Sequence, residues 1–250
     1  MMNECLRNLN KIEFVMTYAC TGHCKHCSEG NHASCGEHID GKRAAEAVKA
    51  VCAHYPIKTV MTFGGEPLLY PEELYPIHAA AREAGVAKRQ VITNGYVTKD
   101  PEKMAEIVKG LFACGVNEIL LSVDAFHQET IPLDCVLLFA REVKRQMIPI
   151  KLSPAWLVSK QDENHYNQTT QEILSVFTAE GFVVGEGNIV FPEGNAAVFL
   201  KEYFNESLPQ NPYREDARDL RCLSFSPDGS VLQSNLYQND ILNILKNYRP

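Results

Sequence analysis

The chain has 250 residues, 45% of them hydrophobic, with nine cysteines and a net charge of -7. That is enough apolar sequence for one large core, and with no membrane-length apolar run and no signal-peptide pattern at the N-terminus a cytoplasmic location is expected. An acidic balance without a Lys/Arg cluster argues against a dedicated nucleic-acid surface or an anionic-membrane anchor, and an odd cysteine count in a reducing compartment favours thiols or metal ligands over a disulfide framework.

Two kinds of segment alternate along the chain. "IEFVMTYA" (12–19) reads as a buried strand, and 42–55 sets Ala44, Ala47, Val48, Val51 and Cys52 on one helical face behind Asp40 as N-cap. "KTVMTF" (58–63) is strand-like; Pro71, Glu72 and Glu73 then open a helix that Gly85 closes. "QVIT" (90–93) follows. Asp100-Pro101-Glu102 starts a helix ending near Gly115, and "EILLSV" (118–123) has the near-continuous apolar character of a strand buried on both faces. A helix over 133–147, a strand over 150–158, a helix from Thr169-x-x-Glu172 to Gly181 and a sixth strand, "NIVF" (188–191), continue the series. Six β-to-α units imply a parallel α/β sheet with right-handed crossovers, either doubly wound or barrel-like. Beyond Pro209, 222–233 reads as a hairpin turning at 226–229, with a short helix in 240–248. Residues 1–208 are therefore expected to form the core domain and 209–250 a short extension packed on it.

The unusual residues collect at the carboxyl ends of these strands, where parallel α/β folds build their sites. Cys20, Cys24 and Cys27 follow strand one, Gly64-Gly65-Glu66-Pro67 strand two, Thr93-Asn94-Gly95 strand three, and Ser122-x-Asp124 lies on strand four. Thiolates select zinc or iron-sulfur centres. Three of them reach three corners of a cubane and leave one iron without a protein ligand; alternatively, a fourth ligand from His23, His26, His32 or Cys35 closes a structural zinc site. Cys52 and Cys114 sit in helical patterns and read as buried small residues. Ser122 and Asp124, two apart, share a strand face, as do Lys151 and Ser153. His127 and Trp156 read first as a locally hydrogen-bonded histidine and a packed indole.

With "CTGHCKHC", "GGEP", "TNG" and "SVD" in order on successive strands, the chain resembles the radical S-adenosylmethionine (radical SAM) enzymes, closest in style to their peptide- and protein-modifying members. The resemblance implies a partial (βα)6 TIM-like barrel with a 4Fe-4S cluster on Cys20, Cys24 and Cys27, and S-adenosyl-L-methionine held near Gly64, Gly65, Glu66, Pro67, Asn94, Ser122, Asp124, Lys151 and Ser153. In this picture the glycines admit the methionine amino group, Glu66 meets its ammonium, and Ser122 and Asp124 hold ribose hydroxyls or the carboxylate. His26 occupies the position, before the third cysteine, where relatives carry an aromatic residue beside the adenine; Ile189 and Val190 fall on the adenine-side strand. An external one-electron donor such as flavodoxin or ferredoxin, anaerobic chemistry and a peptide substrate are implied; a small molecule is the alternative substrate class, and a zinc-binding interaction module the alternative function. Cys222 resembles the start of the relatives' cysteine-rich extension, but as a lone cysteine there it reads as a strand-buried thiol without an auxiliary cluster.

Overall fold

The computed structural model describes residues 3–30, 36–204 and 211–250; His32 and Cys35, two of the candidate fourth ligands, lie outside them. Seven parallel strands form the main sheet: β1 (Lys11–Val15), β2 (Thr59–Phe63), β3 (Lys88–Thr93), β4 (Glu118–Leu121), β5 (Ile150–Leu152), β7 (Val183–Val184) and β9 (Cys222–Phe225), in the order β7-β5-β4-β3-β2-β1-β9.

Helices α1 (Gly41–Cys52), α2 (Pro71–Glu83), α3 (Pro101–Cys114), α5 (Leu133–Arg145) and α6 (His165–Ala179) form the crossovers. Their boundaries have local causes. Asp40 accepts hydrogen bonds from Lys42 N and Arg43 N at 3.0 Å to cap α1, and α3 begins behind Asp100 with Pro101 in its first turn and ends at Gly115, whose φ of 94° lies in the left-handed region.

Alternate strand residues show where the helices lie. Ile12, Phe14, Val60, Thr62, Val91, Ile119, Leu121 and Leu152 are all completely buried, whereas Lys11, Glu13, Gln90, Glu118 and Lys151, on the opposite parity, keep contact with solvent. Only one face of the sheet is sealed, so the both-face burial expected for 118–123 is not found. The other face carries a polar floor: Lys11 pairs with Glu13 at 2.7 Å, Lys151 with Glu118 at 2.8 Å, and Gln90 donates to Glu118.

Four expectations shift. The strand expected over 150–158 divides at Pro154 into β5 and β6 (Ala155–Trp156). The sixth strand of the sheet is Val183–Val184; β8 (Asn188–Ile189) instead pairs with β6 in a two-stranded sheet. Helix α6 starts at Asn164, whose side chain accepts from Asn167 N, a turn ahead of the Thr169 pattern. The hairpin is displaced: 222–225 joins the free edge of β1 as a parallel strand, and the antiparallel pair is β10 (Ser230–Val231) with β11 (Ser234–Asn235). The terminal helix, α8 (Ile241–Asn247), forms where expected. Among the described residues no helix is long and apolar enough to cross a membrane.

Candidate functional site

The cysteine loop leaves the carboxyl end of β1 and is held by neighbouring backbone on both sides. On one side, Met16 N donates to Phe63 O (2.8 Å), Gly65 N to Thr17 O (2.8 Å) and Glu66 N to Ala19 O (2.8 Å), which zips 16–19 to 63–66. A Cβ at Gly65 would lie 2.1 Å from Ala19 O, and one at Gly64, where φ is +138°, 2.5 Å from Thr17 O. The glycine pair is thus required by the approach of two chain segments.

On the other side stands a residue that the sequence reading missed. Asn195, in α7 (Gly194–Phe199), donates its main-chain N–H to Cys27 O at 2.8 Å and its side-chain amide to Cys24 O at 3.1 Å. At Gly194, where φ is +54°, a Cβ would lie 2.3 Å from Ser28 O and 2.5 Å from Cys27 O. A glycine-asparagine pair after a proline was the available signal, though it resembles any loop.

Glu66 is completely buried and its carboxylate is committed to the protein: it accepts from Leu68 N (3.0 Å), Thr93 Oγ1 (2.7 Å) and Asn94 N (2.8 Å). Burial pushes its pKa up to about 7 against these donors. It ties the end of β2 to the Thr93-Asn94-Gly95 turn, while Pro67 opens a buried 3-10 turn behind it. That turn places Asn94 on the cysteine loop, its Nδ2 lying 3.2 Å from Thr21 Oγ1 and 3.5 Å from Cys20 Sγ.

The three thiols sense one another. Burial raises the Cys20 pKa to about 11, with further increases from Glu66 and Cys27 and offsetting hydrogen bonds from Gly22 and Asn94. Cys24 is raised by burial, then by Asp124, Cys20 and Cys27, and Cys27 is raised by burial. Each charge named as acting on Cys24 is negative. A donor set of three partly enclosed thiols, each receiving N–H or O–H bonds at sulfur, suits a cationic thiophilic centre that would deprotonate them.

Beyond β4, Ser122 N donates to Thr93 O (2.9 Å) and Ser153 N to Leu121 O (2.7 Å), setting both serines at the same rim. The strand ends at Leu121, and Asp124 is the N-cap of a short helix, α4 (Ala125–Gln128). Its carboxylate accepts from His127 N (3.0 Å) and Ala155 N (3.0 Å) and pairs with His127 Nδ1 at 2.8 Å. Burial alone would raise its pKa, but His127 outweighs that and holds the carboxyl well below the usual range. His26 packs with ring centroids 4.8 Å from both Phe126 and His127, and Phe126 stacks on Tyr166 at 4.4 Å; burial lowers the His26 pKa to about 4.

Of the remaining sequence candidates, Val190 joins the apolar cluster around Cys24 and Phe126, while Lys151 does not reach this rim, since its ammonium pairs with Glu118 at the amino end of β4. Trp156 is 3% exposed and donates to Glu186 O at 3.0 Å. Cys222 lies half-buried on β9, its thiol pKa raised first by burial and then by Glu13.

A family model described as the Radical SAM superfamily matches residues 14–149, more than half of the chain. No curated protein matches. SuiB from Streptococcus suis, solved with S-adenosylmethionine, superimposes with a TM-score of 0.60 at 12% identity over 97% of this chain and 66% of SuiB. For anSMEcpe with bound AdoMet and Cp18Cys peptide the TM-score is 0.55 at 14% identity, over 96% of this chain and 80% of that one. For coproporphyrinogen III oxidase (HemN) from Escherichia coli, described as a radical SAM enzyme, it is 0.50 at 13%, over 82% and 49%. The chain therefore spans just under two thirds of SuiB and about half of HemN. At such identities the likeness carries the fold, a partial (βα)6 barrel, and the family match carries the rest: the chain belongs to the radical SAM superfamily of enzymes.

Proposed function

We propose that this protein binds a 4Fe-4S cluster through Cys20, Cys24 and Cys27 and S-adenosyl-L-methionine beside it, and acts on a peptide or protein substrate. The observation that carries the reading is the cysteine loop itself: three partly enclosed cysteines on a loop fixed between the 63–66 segment and Asn195. When bound, the cluster supplies the electron that cleaves the sulfonium of S-adenosylmethionine, giving methionine and a 5'-deoxyadenosyl radical that removes hydrogen from the substrate.

The chain's own part is placement and exclusion of water. Gly22 N and Asn94 Nδ2 stabilise negative charge on the Cys20 sulfur, at 3.3 and 3.5 Å. The main chain of Gly64 to Pro67, anchored from beneath by Glu66, offers carbonyls to an ammonium. Ser122 and Ser153 present hydroxyls to the ribose or carboxylate, while His26 and Phe126 give the adenine side a flat wall. The peptide assignment is supported by anSMEcpe, solved with a peptide. An external one-electron donor, flavodoxin or ferredoxin in type, completes the cycle. Residues 1–208 form the catalytic core on this reading, and 209–250 complete it through β9.

Anaerobic reconstitution with iron and sulfide tests the proposal. The protein should turn brown and convert S-adenosylmethionine plus dithionite into 5'-deoxyadenosine, and Cys24→Ala should do neither. A colourless protein after reconstitution overturns it. Deuterium transfer from candidate peptides into 5'-deoxyadenosine then reads out the substrate.

A further inference from the structure

Two imidazoles stand against one of the three thiols. Ligand atoms of Cys24, His26 and His127 lie within 4.8 Å of one another. The His127 Nδ1 is held at 2.8 Å by Asp124, itself completely buried. A carboxylate behind an imidazole fixes the tautomer and orientation of metal-binding histidines. The His26 Nδ1 is sealed from solvent and has no hydrogen-bond partner, a costly state for a buried polar atom and one that a metal relieves. A divalent cation would balance one thiolate and one carboxylate.

We propose that Cys24, His26 and His127, with Asp124 behind, form a His2Cys site for a divalent zinc-like ion, and that this ion and the iron-sulfur cluster exclude each other because both use Cys24. The site goes beyond the assigned chemistry; only the competition rests on the cluster reading. Tetrahedral zinc has bonds of about 2.0–2.3 Å, which separates its ligand atoms by roughly 3.3–3.8 Å. Closure around the ion draws the three atoms together by about an ångström, a side-chain adjustment, and the fourth position stays open to water. The physical consequence is a metal-loaded form in which cluster assembly is blocked until the ion leaves.

The test uses the whole chain, purified without oxygen and stripped of metal, titrated with cobalt(II). One cobalt per chain is expected, with thiolate-to-cobalt charge transfer and the visible bands of tetrahedral coordination. His26→Gln and His127→Gln should each weaken binding at least about ten-fold, the scale on which even outer-shell partners act, while Cys20→Ala and Cys27→Ala leave it intact. Independent of any variant, X-ray absorption on the zinc-loaded wild type should show a mixed nitrogen and sulfur shell; an all-sulfur shell, or no stoichiometric binding, overturns the site. Zinc-loaded protein should take up iron and sulfide only after chelation, and uptake at the metal-free rate overturns the exclusion. If the metal-free wild type never builds a cluster yet binds cobalt as described, the cluster reading fails and the metal site stands.

Discussion

Replacing Gly65 by alanine asks whether the glycine pair serves the protein's own backbone. The new methyl would sit 2.1 Å from Ala19 O and 2.7 Å from Ala19 C and Tyr18 O. All three are main-chain atoms, so no rotamer change relieves the overlap; the 63–66 segment must separate from residues 16–19. Two hydrogen bonds go with it, Gly65 N to Thr17 O and Glu66 N to Ala19 O, each contributing about 0.5–1.5 kcal/mol net. The expected cost is about 1–3 kcal/mol, concentrated where Cys20 enters its loop. Urea denaturation of the metal-free protein followed by circular dichroism measures the first effect, and iron and sulfide content after anaerobic reconstitution the second. We expect cluster content to fall well below wild type at conditions where the variant remains folded. Retained cluster and a stability change under about 0.5 kcal/mol, the range of ordinary surface substitutions, would refute the reasoning.

Asn195→Ala removes the amide bond to Cys24 O but keeps the main-chain bond to Cys27 O; a loss of about 1 kcal/mol corresponds to roughly five-fold faster iron loss to a chelator, and an unchanged rate would sink the clamp. For Glu66, burial raises the folded pKa to about 7 from the ordinary glutamate value of 4.5. Between these values the folded state holds a proton that the unfolded chain has released, so stability falls as pH rises through that window, with a slope approaching 1.4 kcal/mol per pH unit. Glu66→Gln should lower stability overall and lack that slope; parallel pH profiles for the two proteins count against the assignment. Asp124 has the opposite sign: despite burial its carboxyl is held low by His127, so its contribution is present above the unfolded carboxyl value of about 3.9 and is lost as pH falls towards the depressed folded value. The stability lead of wild type over Asp124→Asn should narrow on acidification, and a lead that stays constant there contradicts the pairing.

Residue chemistry made part of the site legible in sequence. Three cysteines in a polar loop have few structural uses, and Gly-Gly-Glu-Pro one β-α unit later fixes a register that chance rarely supplies. Partners in space were not legible. Ser122 and Asp124 share a parity only while the strand continues; β4 stops at Leu121, so Asp124 stands at the rim as the cap of α4, turned to His127 and Ala155, and not through the period-two rule. Lys151 obeyed its parity, but its length let it reach Glu118 on the polar floor. Asn195 contributes by donating to carbonyls of a loop 171 residues earlier, and nothing in its immediate sequence announces that. The same limit explains β9. Residues 222–225 alternate like a hairpin arm, and only the unpaired edge of β1 makes a parallel seventh strand the better use of them.

The arrangement divides labour between the two faces of the sheet. One face is sealed by helices with apolar side chains and supplies stability; the other presents charged and polar side chains, Lys11 with Glu13 and Lys151 with Glu118, already paired with each other. Such an interior can be wet without leaving charges unpaired. An apolar interior would have to be filled to be stable. The rim lies at the carboxyl end of that interior, and its polar groups are mostly satisfied by the protein: Glu66 by Thr93 and Asn94, Asp124 by His127 and Ala155. Three buried side-chain nitrogens of the described residues lack a partner: His26 Nδ1 beside Cys24, Gln128 Nε2 on α4 and His78 Nδ1 on α2. Of these, His26 Nδ1 alone belongs to the group that Cys24 and His127 complete, so a cation bound there, as proposed, would relieve one buried nitrogen that the protein leaves unmet.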